Sequence, residues 1–356
     1  MKTNILIIGG GIIGLSTAWK LAKQGKSVTV LERDACNKGA SIVAPGALMP
    51  YHPSRIDELP TMQRKSLAMY PKLIKELEAE TCIDVKYTQN GRLQQIQSIN
   101  HLQKIQEDVD YAVANWPKVN NKLPMEILNA EQLKKREPNL IATEFGTLYC
   151  RTSGHIHSPL LMKALYEACI KNGVEILENT KVTDIKAENN HVTSVETENE
   201  TFTADNTIIT AGAWSSKIFD TPIEIKPVKG QVIAVKTPDP LLGKSFIRAK
   251  GLYILQATPT TLIIGATKEY DAGFDVTPTE DASREMFKKA CSVVPKLAEY
   301  SVAHAFCGLR PMSKVTMPFM DRIPEYDNLY MSCGHGGIGI CMMPVASQIL
   351  ADKLIG

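Results

Sequence analysis

Three glycines and one acid carry the plainest chemistry in this chain. Gly9, Gly11 and Gly14 have the G-x-G-x-x-G spacing of a dinucleotide-binding turn, and Glu32 follows 18 residues after the last of them. Gly9 permits a tight turn, Gly11 lets a pyrophosphate approach the backbone, and Gly14 lets the next helix lie close on a sheet. A carboxylate at Glu32 can accept hydrogen bonds from both ribose hydroxyls of an adenosine. These residues predict a bound dinucleotide, and by themselves they leave its identity open. The competing reading is a glycine-rich turn that serves only an α/β fold.

Other candidates are weaker. Residues 39–51 (GASIVAPGALMPY) are small and carry little secondary-structure signal, so their backbone N–H groups can lie against a flat ligand. A second glycine turn, GHGGIG at 334–339, precedes the closing helix. His335 within it is expected to order the turn rather than to catalyse. His155 and His157 have a strand-like i, i+2 spacing, but no cysteine or acid completes a metal set, so no metal is expected. None of the eight cysteines forms a C-x-x-C pair, which argues against zinc and thioredoxin-like chemistry and for a reduced, cytoplasmic protein.

The elements that must position these groups follow from periodicity. An apolar strand at 5–8, an amphipathic helix at 12–23 and a second strand at 27–31 frame the first turn, with the positive end of the helix dipole toward the phosphates. A helical pattern covers 61–81, and Pro71 predicts a kink or two helices meeting there. Strand-like alternation at 83–96, with a turn at Asn90-Gly91, precedes a helix at 101–115 and a short one at 130–136 capped by Asn129. A helix at 158–171 crosses over to a parallel strand at 174–177. Short alternating segments at 182–187, 191–196 and 202–204 predict a meander, followed by a separate return strand at 207–210. Strands at 227–235, 252–256 and 262–266, a helix at 280–294 and a strand from 301 to 311 form a second, β-rich region. A last strand, the second glycine turn and a closing helix broken or started at Pro344 end the chain. The chain thus leaves and re-enters its nucleotide-binding lobe, expected at 1–85, 145–222 and 305–356. A β-rich substrate lobe is expected at 86–144 and 223–304.

Length and composition narrow the class. A chain of 356 residues is long for one simple core, which favours two lobes. Forty basic against 38 acidic residues give no electrostatic case for nucleic acid. No apolar run approaches the ~20 residues of a membrane span. Lys2 before an apolar stretch mimics a signal peptide, but no small-residue cleavage site follows.

GGGIIG with Glu32, the small-residue loop, GHIHSP, TAGAWS, PVKGQ, GATKEYDAGFD, CGLRPMS and NLYMSCGHGGIGI occur in order over nearly the whole chain. This ordered set resembles the FAD-dependent D-amino acid oxidase superfamily, and within it the glycine oxidase (ThiO-type) and related amine oxidases. The resemblance implies an α/β fold in which a Rossmann-like FAD-binding lobe carries a β-rich substrate lobe. It makes the dinucleotide FAD, with Gly9, Gly11, Gly14 and Glu32 on its ADP half and Ala40 and Ser41 near the pyrophosphate. Gly46 would lie near the isoalloxazine, and Val182 would meet the adenine side through its backbone. Gly336, Ile338 and Gly339 would turn N–H groups to the flavin pyrimidine edge, where reduced flavin gathers negative charge. Arg310 matches an arginine that grips a substrate carboxylate with its guanidinium fork. Tyr253 matches a tyrosine that assists it or lines the pocket.

The implied reaction is oxidative deamination of glycine, sarcosine or small D-amino acids to oxo acid, ammonia and hydrogen peroxide. Dioxygen is the implied electron acceptor, and thiamine thiazole synthesis the implied pathway. No general base stands out, and hydride transfer from the α-carbon of a neutral amine needs chiefly positioning. Three details depart from the family pattern, and a cysteine bears on how FAD is held. Lys314-Val315-Thr316-Met317 replaces an acidic-glycine turn, Gly336 stands where some glycine oxidases have a basic residue, and Lys268 replaces an apolar pocket residue. Cys307 lies one position before the slot of a flavin-anchoring cysteine, which favours non-covalent FAD. Three alternatives remain open: a D-amino acid or secondary-amine dehydrogenase with another electron acceptor, a low-turnover flavin-binding redox protein, and an NAD-dependent dehydrogenase. A homo-oligomer is compatible with all of these.

Overall fold

Alternation along one strand divides the half of the molecule built on the first sheet into two cores. In the computed structural model, Ile5 and Ile7 of the strand Lys2–Ile8 face a layer of helices, while Leu6 and Ile8 face a β-meander. The structure describes residues 2–36, 38–50, 57–220, 223–243 and 245–355; Tyr51 of the small-residue loop and the expected boundary at 222 lie outside them. The first sheet runs in the order Phe319–Arg322, Leu329–Cys333, Thr201–Ile209, Lys2–Ile8, Val28–Leu31, Glu175–Leu177. All neighbours are parallel except the first pair. Helices Ile12–Ala22, Glu58–Thr81, Ser158–Lys171 and Gly339–Ile355 cover one face. The meander of Val182–Glu188 and His191–Thr197 leads antiparallel into Thr201–Ile209 and covers the other.

The second sheet also has eight strands, in the order Val302–Ser313, Ile225–Lys236, Thr261–Gly265, Leu252–Thr258, Phe246–Ala249, Arg92–Gln95, Thr147–Cys150, Met125–Leu128. The helix Glu280–Cys291 packs on one part of it, with Met286 and Ala290 in the same core cluster as Ile233, Ile254 and Ile264. Ile99–Asn115, capped by Ser98, packs on another. Ala130–Arg136 opens with a capping box in which Asn129 and Gln132 satisfy each other's backbone donors. The mixed α/β fold with two large sheets is the one expected. Thr147–Cys150 and the whole of Val302–Ser313, expected in the nucleotide-binding lobe in full or in large part, pair within the second sheet.

Two elements differ from expectation, and at Pro71 the helix Glu58–Thr81 is continuous rather than two helices meeting. The segments at 202–204 and 207–210 are one nine-residue strand, Thr201–Ile209, which serves the meander with one end and the parallel sheet with the other. Gly339–Ile355 runs unbroken through Pro344. At Pro344 the reason is visible. Proline lacks the N–H that would bond the Ile340 carbonyl four residues back. The Tyr70 hydroxyl donates to that carbonyl instead, and Ser66 Oγ accepts the next N–H, from Val345, at 3.3 Å. The neighbouring helix repairs the gap.

Candidate active site

The two sheets meet around a cavity of about 820 Å³, within the usual range for small-molecule sites. The glycine turn forms one wall. Gly9, at φ +113°, turns the chain out of the first strand, and the Thr210 hydroxyl donates to the carbonyls of Ile8 and Gly9 at 3.1 and 2.9 Å. Gly11 is the N-cap of Ile12–Ala22 and has no side chain to accept the first orphan donor. Ser41 supplies it: its Oγ accepts the Ile12 N–H at 3.0 Å. Glu32 takes the Gly10 N–H at 2.7 Å on one oxygen and the Asp34 N–H at 3.0 Å on the other. Those bonds fix the carboxylate and leave each oxygen a second acceptor site.

Gly9, Gly11, Glu32, Ala40, Ser41, Gly46, Val182, Gly336, Gly339, Tyr253 and Arg310 all line this one cavity. Gly14 does not. A Cβ there would sit 1.9 Å from the Gly9 carbonyl oxygen, so its role is close packing of helix on turn. Ile338 is also absent from the lining, and its N–H donates to the His335 carbonyl at 3.0 Å. The Gly336 N–H is likewise engaged, with the Pro311 carbonyl at 2.9 Å. The donors expected of Gly336 and Ile338 are therefore engaged within the protein, one by the strand Val302–Ser313 and one by the turn itself. The orphan donors are those opening the closing helix, at Gly339, Ile340 and Cys341, all of which line the cavity.

Arg310 comes from Val302–Ser313, opposite Val228 on Ile225–Lys236. Its guanidinium lies over Gly230, where a Cβ would be 2.5 Å from Cζ and both Nη atoms. Nη1 donates to the Thr267 carbonyl at 2.9 Å, and burial pulls the guanidinium pKa down without removing its charge. Tyr253 lies across Gly265 on the neighbouring strand, and burial drives its hydroxyl pKa up. Its oxygen has neither solvent nor a hydrogen-bond partner. His335 is equally withdrawn. Nε2 meets Ser332 Oγ at 3.1 Å, Nδ1 is buried without a partner, and desolvation lowers the pKa to about 4, so the ring is neutral at pH 7. Burial raises the Cys307 thiol pKa, which keeps it protonated and weakly nucleophilic. Lys268 does not line the cavity.

A family model described as FAD dependent oxidoreductase matches residues 4–353. The chain belongs to that family. A glycine oxidase of Pseudomonas putida is 28% identical over 100% of this chain and 95% of its own length. Solved glycine oxidase structures from Geobacillus kaustophilus and Bacillus cereus match with TM-scores of 0.90 and 0.89. Their identities are 26% and 30%, and each match covers 99% of this chain and 94% of the other.

The protein is thus an FAD-dependent oxidoreductase, and its cavity fits the group. A fixed acceptor carboxylate and a helix N-terminus stand at the glycine turn, and a second helix N-terminus opens at Gly339. Two buried polar atoms without partners, Tyr253 Oη and His335 Nδ1, belong to residues of the same lining. The sequence reading missed several lining residues: Arg33, Lys217, Trp214, Phe274 and Gly230. The last three lie inside TAGAWS, GATKEYDAGFD and PVKGQ, so their motifs were visible although their roles were not. Among the described residues no cluster suited to a metal ion occurs, and no helix is long and apolar enough to cross a membrane.

Proposed function

We propose that this enzyme oxidises glycine or another small amino acid, sarcosine and small D-amino acids included, to oxo acid, ammonia and hydrogen peroxide. The observation that carries this is Arg310. A single cation is held in a glycine-cleared slot of the cavity, beside a tyrosine hydroxyl with no partner of its own. Thr267 occupies one edge of the guanidinium, and its remaining N–H groups suit a carboxylate in a two-bond grip. Tyr253 Oη supplies the further donor that a desolvated carboxylate requires.

Bound FAD supplies the two-electron acceptor. The chain supplies position: Arg310 and Tyr253 fix the carboxylate and so the α-carbon, and the helix N-terminus at Gly339 favours negative charge at the cofactor edge. Among the described residues, the acidic ones lining the cavity are Glu32 and Asp34, which stand by the glycine turn; Glu269, the carboxylate that acts electrostatically on Arg310, is paired with Lys229. Non-covalent attachment agrees with a protonated Cys307. The eight unpaired cysteines support a cytoplasmic setting, and the ThiO-type resemblance suggests thiamine thiazole synthesis as the pathway.

The test is spectroscopic. Purified protein should show oxidised-flavin absorbance, bleach anaerobically with glycine, sarcosine or D-alanine, and make peroxide in air. Bleaching without peroxide would indicate a dehydrogenase with another acceptor, and no bleaching with any amino acid would refute the proposal. Arg310→Ala should raise KM for the amino acid at least tenfold.

A further inference from the structure

Between Thr261–Gly265 and Glu280–Cys291 the chain runs through 266–279 without regular secondary structure. Such a stretch inside a packed fold is uncommon unless it has a task. Both of its arms are tied to one strand, Ile225–Lys236, by Lys229 and Gln231, which are 2% and 0% exposed. On the first arm, Lys229 and Glu269 exchange backbone hydrogen bonds at 3.0 Å, and Thr267 Oγ1 accepts the Gln231 N–H at 2.8 Å. On the second, the Gln231 side chain donates to the Thr279 carbonyl and accepts the Thr279 N–H, both at 2.8 Å. The Lys229 ammonium spans the two arms, 3.4 Å from Glu269 and 2.9 Å from Asp275.

The tip reaches across to the other sheet. Gly273, at φ +59°, provides a bend before Phe274. The Phe274 ring lies 5.3 Å from that of Trp214, which follows the strand Thr201–Ile209. The Lys217 ammonium sits 4.0 Å over Phe274, and the Arg33 guanidinium 4.1 Å over Trp214. Cation, ring, ring and cation thus form a continuous row. It begins beside Glu32 and ends at Lys217 in the short helix Ser215–Ile218, Phe274 is its one member from the segment anchored in the second sheet, and all four members line the cavity.

We propose that residues 269–276 are a strap that closes over the nucleotide half of FAD, with Phe274 as its latch and Lys229 as its anchor; this rests on the FAD-binding reading. Retention follows from the geometry. The arms are fixed by buried polar groups and by the Lys229–Asp275 ion pair, whereas the reach of the tip to the first sheet is made by the aromatic and cation–π contacts of Phe274, which cost least to open. Opening there uncovers the cavity beside Glu32 while the sheets stay intact.

The experiment measures cofactor release, without turnover. Holoprotein is diluted and the rise of free-flavin fluorescence is followed. Phe274→Ala should release FAD roughly tenfold faster, equivalent to about 1.4 kcal/mol, and Phe274→Tyr, which keeps the ring, should release it at the wild-type rate. Lys229→Met should also speed release, because both arms lose their anchor. The flavin-free Phe274→Ala protein should keep its unfolding midpoint to within about 2 °C. Release by Phe274→Ala within twofold of wild type would overturn the strap, as would faster release matched by general destabilisation. Wild-type protein that neither carries nor takes up flavin would instead sink the FAD-binding reading itself.

Discussion

Gly230→Ala tests the substrate grip without touching the residue that makes it. Gly230 lies in extended strand opposite Gly308, outside the left-handed region, so alanine imposes no backbone strain. Its methyl would stand 2.5 Å from three guanidinium atoms of Arg310, against about 3.4 Å for the start of ordinary contact. The guanidinium must therefore retreat by at least ~0.9 Å, and its 2.9 Å bond to the Thr267 carbonyl is strained or lost. A misplacement of about 1 Å can cost up to about 10²-fold in rate when positioning carries the catalysis. We expect kcat/KM for glycine or sarcosine to fall about 10- to 100-fold, equivalent to roughly 1.4–2.7 kcal/mol. An amine without a carboxylate, such as ethylamine, should change less than about threefold, since it never used the fork. The assay is peroxide formation with both substrates, at saturating FAD and with flavin absorbance confirming full occupancy. Equal losses with both substrates, or none with the amino acid, would refute the assignment of Arg310.

Three further outcomes can be checked. His335 has a depressed pKa, so between about 4 and 6.5 the unfolded chain binds more protons than the folded one, and stability is lost as pH falls through that window. The gap corresponds to roughly 3 kcal/mol at most, and urea unfolding of flavin-free His335→Gln should show a flatter pH dependence than wild type. Gly14→Ala would drive a methyl to 1.9 Å from the Gly9 carbonyl oxygen. A loss of about 3 kcal/mol is expected, seen as a lower thermal midpoint and reduced flavin content. Tyr253→Phe removes a buried hydroxyl that has no partner. The flavin-free protein should gain about 1 kcal/mol while KM for the amino acid rises several-fold, and an unchanged KM would remove Tyr253 from the grip.

The nucleotide half was legible because its parts are contiguous: turn, helix, strand and acid fall within residues 9–32, and spacing alone orders them. The proposed substrate grip draws on Gly230, Tyr253 and Arg310 on three strands of the second sheet, and the proposed latch Phe274 lies on a loop between two elements of that half. No local period connects them, so only the ordered resemblance pointed to Arg310 and Tyr253, and Phe274 escaped notice. Pro344 misled for a related reason. Propensity is local, whereas the hydroxyl that serves Ile340 belongs to Tyr70, 270 residues away in sequence. The glycine turn at 334–339 shows a third limit. A motif tells where backbone can approach a ligand, but the free donors depend on which carbonyls the turn itself engages, and there Gly336 and Ile338 are occupied.

Lys229, Gly230 and Gln231 join these halves physically. Side chains alternate along a strand, so the first and third members of such a triplet share a face and the second has the other. Lys229 and Gln231 both reach the segment 266–279, and Gly230, between them, leaves empty the space that the Arg310 guanidinium fills. The same segment returns the Thr267 carbonyl to Arg310 and extends Phe274 toward Trp214. The proposed substrate grip and the proposed cofactor strap would therefore share one support, and damage to it need not stay local. Gly230→Ala, which pushes on the Arg310–Thr267 bond, should loosen the first arm of the strap. Its FAD release should quicken by about two- to threefold if coupling is on the order of 0.5 kcal/mol, the low end for groups in one hydrogen-bond network. Release at the wild-type rate, alongside the expected loss of kcat/KM, would show that the two functions share a strand without sharing its mechanics.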